Sequence, residues 1–338
     1  MAASNAVFQW GIVSPGRIAQ TFASALSSVD DARLGAVTSR DTDRGRAFTE
    51  AFPQPGPEPA VYTDYAAMLA DPSIDAVYVA SPHRFHHEQV LAALRAGKPV
   101  LCEKPMTVTA AQAEELMQVA DQQGVFLMEA MWSRFLPVWQ QVRRWLDDGR
   151  IGPVHTLHSE FCVDMPRNTS DRLFDPALAG GNLLDMGVYC IALSRFVTGR
   201  DPDRVQSATR LGPTGVDERT AAILDYGDLV SQFTSSFLGQ RRNGFRIEGE
   251  RGVIEIDALF WASESARLTE VTAAESPAVE RFEQPHRGNG FEYQIEAAMA
   301  SIRAGERECP GMPWAATLGT ARVMDRMLRD AGVTFPFL

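Results

Sequence analysis

Three short stretches of this 338-residue chain hold residue types that could move a proton or bind an anion. Glu103-Lys104-Pro105 follows an apolar run that ends at Cys102. Asp185 and Tyr189 stand four apart, a spacing that places both on one face of a helix. Ser14-Pro15-Gly16-Arg17-Ile18 follows the first apolar run, where small residues and a helix start could cradle a phosphate. A lysine and a phenol can take or give a hydroxyl proton, but each titrates near ~10 when free and needs help at neutral pH. An ammonium beside a phenol favours phenolate, and burial beside a second cation lowers the lysine. The plainer readings are an ion pair of Lys104 with Glu103, and a capped polar pair of Asp185 and Tyr189 on a packing face.

These stretches need elements to hold them. Apolar runs at Phe8–Val13, Leu34–Thr38, Ile74–Ala80, Pro99–Cys102 and Val125–Met128 read as strands. Helical patterns lie between them at 17–29, 43–52, 64–69, 85–96 and 109–123, with a Pro-rich loop at 54–59. Strands that alternate with helices, and that are apolar throughout, form a parallel sheet covered on both faces. The chain changes character near residue 130. Helical patterns at 136–146 and 182–196 surround a strand at 155–163; strands then follow at 205–211, 220–226, 229–238, 245–248 and 253–256. Short turns such as Gly249-Glu250-Arg251-Gly252 join them, which predicts an antiparallel sheet. Helices return at 293–304 and 315–328. The expected architecture is α/β: a doubly wound parallel sheet over 1–131, then an α+β domain on an open, mostly antiparallel sheet over 132–338.

The loop after the first strand sits where a dinucleotide fingerprint belongs. Gly16 and Ala19 fit it, Ser14 replaces the usual first glycine, and Pro15 removes one N–H donor. The plainer reading is a strand-to-helix turn without a ligand. At the end of the second strand an NAD site usually carries a carboxylate for the ribose hydroxyl. Here Ser39 and Arg40 precede the first carboxylate, Asp41, and suit a 2′-phosphate. This favours NADP, with NAD as the alternative.

Composition narrows the field. Hydrophobic residues make up 45% of the chain, a globular proportion. Asp+Glu outnumber Lys+Arg by 43 to 32, a net charge of −11 without a basic block, so neither nucleic acid nor an anionic membrane is an expected partner. No apolar run reaches the ~18 residues of a membrane span. Met1–Asn5 show no secretory leader, and four scattered cysteines show neither a disulfide framework nor zinc spacing, which points to the cytoplasm. His83, His86 and His87 have no other ligand-type residue near them in sequence and are read as crevice and helix-start residues, with no metal. Of Trp132, Arg134, Phe161, Arg167, Phe174 and Trp261 near the domain junction, Trp132 and Phe161 are taken as candidates to stack on a substrate ring.

The loop, Glu103-Lys104-Pro105 and the segment Gly180–Tyr189 together resemble the family of glucose–fructose oxidoreductase and inositol dehydrogenase. Met128–Phe135, Leu184–Cys190 and Gly332–Pro336 place the resemblance nearest the branch of dimeric dihydrodiol dehydrogenases and NADP-dependent D-xylose dehydrogenases. It runs over essentially the whole chain and implies a Rossmann domain followed by an open sheet. It implies hydride transfer between a nicotinamide and a secondary alcohol or hemiacetal carbon of a sugar or cyclic trans-diol. Lys104 and Tyr189 would relay the proton and Asp185 would position the hydroxyl. Ser14, Gly16, Arg17, Ile18, Ser39, Arg40, Pro82, His86, Glu103 and Lys104 would bind the cofactor, with Pro82 and His86 near the nicotinamide. Trp132, Phe161, Asp185 and Tyr189 would meet the substrate. A homodimer or homotetramer formed through the second sheet is implied as well. The competing expectation is a nucleotide-binding regulator of the same fold without turnover.

Overall fold

A computed structural model of the chain describes residues 7–271 and 277–338; the leader reading on Met1–Asn5 falls outside them. Contacts divide the chain into two units, residues 1–107, 111–132 and 286–314 in one, and residues 108–110, 133–285 and 315–338 in the other.

The first unit holds β1 (Phe8–Val13), α1 (Arg17–Leu26), β2 (Ala32–Thr38), α2 (Thr42–Ala51), β3 (Ala60–Tyr62), α3 (Tyr65–Ala70), β4 (Ala76–Val79), α4 (His86–Arg95), β5 (Val100–Glu103), α5 (Ala110–Gln123) and β6 (Leu127–Ala130). The strands form a parallel six-stranded sheet in the order β3-β2-β1-β4-β5-β6. β4, β5 and β6 are buried throughout, as a sheet covered on both faces requires. The order reverses between β1 and β4, and the loops that follow those strands begin at Ser14 and Ala80. In open α/β sheets this switch point is where ligands bind. Beneath it, Phe22 of α1 stacks on Tyr78 of β4, with ring centroids 3.8 Å apart.

The second unit begins with α6 (Pro137–Asp147) and β7 (Val154–Cys162). A π-helical turn over Leu183–Gly187 leads into α7 (Val188–Thr198). Then come β8 (Arg204–Leu211), β9 (Asp217–Asp225), β10 (Val230–Ser236), β11 (Phe245–Gly249), β12 (Gly252–Ile256), β13 (Ser265–Glu270) and β14 (Ala278–Glu283). They form one eight-stranded sheet, β14-β13-β12-β11-β7-β10-β9-β8. Every pairing is antiparallel except β7 with β10. Along β9, Thr220, Ala222 and Leu224 are buried while Arg219, Ala221 and Ile223 are exposed, so one sheet face is covered and one is open.

α8 (Glu292–Arg303) belongs to the first unit, whereas α9 (Trp314–Asp330) lies almost wholly in the second. Contacts thus group 286–314 with the first unit and 108–110 with the second. Asn289 donates to the carbonyl of Thr21 in α1 at 2.9 Å, and Arg303 pairs with Asp31 at 2.5 Å, which fastens 286–314 to the first unit. β3, β13 and β14 were not expected. β3 is three half-buried residues, and β14 is almost entirely exposed, so neither carries the apolar signature of a core strand. One helical stretch, Pro176–Thr198, is long and apolar enough by composition to cross a membrane. Its most apolar 18-residue window is 83% buried, and the stretch contains Asp185 and Arg195, as a core helix does.

Candidate functional site

The candidate residues fall into two groups, one in each unit. In the first unit β1 ends at Val13 and Ser14 turns the chain with φ +72, a left-handed conformation that a serine adopts only at a cost. Ser14 N–H donates to the carbonyl of Thr38 at 3.2 Å, and Gly16 N–H donates to the carbonyl of Ser14 at 2.8 Å. α1 then starts at Arg17 with no side-chain cap and no acidic residue in its first turn. Its amides are left for an anion, in line with the partial positive charge of a helix N-terminus. A Cβ built on Gly16 would meet nothing nearer than the Ala80 carbonyl, at 3.8 Å, and Gly16 has φ −89. The fold itself does not demand glycine there; the open space suits the close approach of a pyrophosphate. The loop therefore fits a dinucleotide.

Past β2, Ser39 is buried and its Oγ accepts the Asp41 N–H at 3.3 Å, while Arg40 is exposed. Asp41 is the N-cap of α2, accepting from the amides of Asp43 (2.9 Å) and Arg44 (3.2 Å). The carboxylate that an NAD site would use is thus engaged in capping. Arg44, which sequence reasoning passed over, donates to the carbonyl of Pro15 at 3.0 Å. With Gly16, Arg17, Gln20 and Phe48 it lines a cleft beside the phosphate loop. Its position four residues after Arg40 was the available signal.

Pro82 follows β4 and opens a short 3-10 turn over His83–Phe85. His86 is fully buried, its Nδ1 2.9 Å from the carbonyl of Pro105 and its Nε2 2.8 Å from the carbonyl of Ser81. The ring thus lies between two backbone carbonyls and ties the loop after β4 to the loop after β5. His87 instead meets Glu115 at 2.9 Å. Among the described residues no group of three or more His, Cys, Asp or Glu could hold a metal.

Glu103 ends β5, 4% exposed. It accepts the Tyr78 hydroxyl at 2.5 Å and the Lys104 amide at 3.2 Å. Burial raises its pKa to about 7, against the pull of the Lys104 ammonium and of the Tyr78 hydroxyl. Glu129, on β6 opposite Cys102, accepts the Met106 amide at 2.9 Å. Lys104 is half-buried at the carboxyl end of β5, the strand next to β4. Trp132 is buried, its ring 4.9 Å from that of Phe291 in the same unit.

In the second unit, Asp185 lies inside the π turn and meets Arg172 at 3.1 Å. π turns are rare and recur at functional sites. Tyr189 is in the first turn of α7, 6% exposed, with its ring 5.5 Å from Phe161. Phe161 stacks on Trp261 at 3.5 Å, so Trp261 joins the aromatic group that sequence reasoning had reduced to Trp132 and Phe161. Arg167 is held by Glu218, and Phe174 packs on Phe237. The structure thus places Asp185, Tyr189 and Phe161 in the second unit, with the Tyr189 and Phe161 rings in contact, and Lys104 and Trp132 in the first.

Residues 8–131 match the oxidoreductase family with an NAD-binding Rossmann fold, and residues 139–255 match the GFO/IDH/MocA C-terminal domain. The chain is 34% identical to trans-1,2-dihydrobenzene-1,2-diol dehydrogenase of Mus musculus, covering 97% of this chain and 98% of that protein. It is 35% identical to the enzyme of the same name from Xenopus laevis, covering 97% and 99%. Among solved structures it is similar to KijD10, a 3-ketoreductase from Actinomadura kijaniata in complex with NADP and TDP-benzene, with 28% identity, a TM-score of 0.81 and coverage of 94% and 96%. With a parallel Rossmann sheet, a second, eight-stranded sheet and family matches over 8–131 and 139–255, the chain belongs to the GFO/IDH/MocA oxidoreductase family.

Proposed function

We propose that this chain is an NADP-dependent dehydrogenase or reductase acting on the secondary alcohol or hemiacetal carbon of a sugar or a cyclic trans-diol. The carrying observation is the carboxyl edge of the first sheet. The uncapped phosphate loop after β1, the Pro82 loop after β4 and Lys104 after β5 follow three neighbouring strands at the switch point. The relatives support the substrate class: two are named for a trans-dihydrodiol and one for a 3-ketoreductase.

Bound NADP would supply the hydride acceptor or donor, and that chemistry belongs to the cofactor. Gly16, Arg17, Ile18 and the first-turn amides of α1 would hold its pyrophosphate. Ser39 and Arg40, joined by Arg44, would hold the 2′-phosphate, since Asp41 is spent on its own helix. Pro82 would flank the nicotinamide. His86 and Glu103 would act from beneath, fixing the backbone that carries Lys104. Lys104 and Tyr189 would exchange the hydroxyl proton, Asp185 would orient that hydroxyl, and Phe161 and Trp132 would contact the substrate ring.

The open face of the second sheet, with Ile223 43% exposed, is our proposed surface for a homodimer or homotetramer, which sedimentation velocity would resolve. Four free, buried cysteines support a cytoplasmic setting. The test of activity is NADP with a panel of pentoses, hexoses and trans-diols, followed at the reduced-nicotinamide absorbance band. Turnover of at least one class is expected. Tight NADP binding with silence across the panel would favour a regulator instead.

A further inference from the structure

We propose that Asp217, at the start of β9, is the positioning residue for Asp185 and Tyr189, because its carboxylate holds the first turn of the helix that carries them. What those two residues do rests on the oxidoreductase reading above; how they are held does not. Asp217 is fully buried, and its Oδ2 accepts the Leu183 N–H at 2.6 Å. Leu183 opens the π turn that contains Asp185 and runs into Tyr189.

The preceding residue does not cap this turn, for a visible reason. Asn182 is turned toward β10; with its amide nitrogen facing Ser235, it donates to the Ser235 carbonyl at 3.0 Å and accepts the Ser236 amide at 3.1 Å. Asp217 takes over the capping from 34 residues away. Gly181 makes room for it. A Cβ at this position, where φ is +129, would lie 2.3 Å from Asp217 Oδ1.

The next residue, Glu218, is also buried and takes both donors of Arg167, Nε at 3.0 Å and Nη2 at 2.5 Å. Consecutive side chains of β9 therefore fasten both ends of the segment from Arg167 to Leu183. That segment presents Arg172 to Asp185. Burial pushes the Asp217 pKa up to about 6, against the pull of the Leu183 amide. An apolar side chain of this size would avoid the cost of desolvation but could not accept the N–H.

Three variants separate the alternatives. Asp217→Asn keeps an oxygen that can accept from Leu183 and removes the charge. Asp217→Leu keeps the branched shape, with bulkier methyls in place of the oxygens, and removes the acceptor. Gly181→Ala presses on the carboxylate from the other side. Each is measured for kcat and KM with D-xylose and with trans-1,2-dihydrobenzene-1,2-diol, for NADPH affinity by fluorescence, and for amide exchange over 182–189 by mass spectrometry. In Asp217→Leu and Gly181→Ala we expect kcat to fall about tenfold or more, with faster exchange and unchanged NADPH affinity. Asp217→Asn should restore both kcat and protection. Unchanged kcat and exchange in Asp217→Leu would overturn the proposal, as would an asparagine variant as impaired as the leucine one. If Asp217→Leu does not fold, Gly181→Ala and Asp217→Asn decide by the same criteria. If the wild-type protein oxidises neither compound, exchange alone decides the role of Asp217, and the silence counts against the oxidoreductase reading.

Discussion

The two units hold their candidate residues by different means. In the first, the loop after β1 is fixed by backbone groups, and His86 bridges the loops after β4 and β5. Ser14, Gly16 and the α1 amides come from one continuous turn, Asp41 caps the helix it begins, and His86 is clamped between two carbonyls. In the second, the fixing is done by side chains and long range: Asp217 reaches Leu183, Glu218 reaches Arg167, and Arg172 reaches Asp185. A backbone cradle tolerates substitution wherever a side chain points outward. A side-chain clasp fails when a single acceptor is lost. Cofactor binding and proton chemistry should therefore respond to mutation separately.

The largest separation is expected from Lys104→Met. Removing a general acid–base group lowers kcat by roughly 10²–10⁴-fold, while NADPH affinity, shared among the loops after β1 and β2, should fall far less. Parallel turnover and fluorescence titrations check it; a loss of affinity equal to the loss of kcat would erase the distinction between the units.

Next is Ser39→Asp, which introduces a carboxylate beside Arg40 where a 2′-phosphate would lie. We expect NADP affinity to fall by about 10–100-fold and NAD to be favoured in relative terms, since charged hydrogen bonds contribute about 1.5–3 kcal/mol. An unchanged NADP-to-NAD ratio of kcat/KM would contradict the assignment.

The third concerns pH. The Glu103 pKa is raised to about 7 in the folded chain, above its ordinary value of 4.5. The folded state thus binds more protons than the unfolded state across that interval, so this group's contribution is fullest below pH 4.5 and is lost as pH rises toward 7. Glu103→Gln should flatten that decline in urea-melt stability between pH 5 and pH 8. A wild-type decline that survives in the variant would place its origin elsewhere.

The smallest effects come from the phosphate loop in the absence of ligand. Gly16→Ala has room for its methyl and should leave Tm unchanged while weakening NADP. Ser14→Gly removes a left-handed serine, partly offset by the freedom glycine gives the unfolded chain, and should raise Tm by about 1–2 °C. A large fall in Tm for Gly16→Ala would mean that the fold, not the ligand, requires the glycine.

The same contrast explains what could be read from the sequence. The parallel sheet was legible because Val77–Val79 and Val100–Cys102 are apolar without alternation, and its candidate phosphate loop lies next to β1 in the chain. Arg44 was missed because nothing local shows it turning back to Pro15, 29 residues earlier. Asp185 and Tyr189 were legible by spacing, but the π turn between them was not, since it depends on Asp217 from a distant strand. The return of 286–314 to the first unit escaped for the same reason: Asn289 and Thr21 are 268 residues apart.

The central claim is hydride exchange between a carbinol carbon and the nicotinamide. Its most direct test is NADP with a substrate deuterated at that carbon, D-xylose at C1 or a trans-diol at its carbinol positions, followed by mass spectrometry of the reduced cofactor. The account predicts one deuterium at nicotinamide C4, and far less of it with Lys104→Met. Reduced cofactor without deuterium, or an equal yield from the variant, would contradict it.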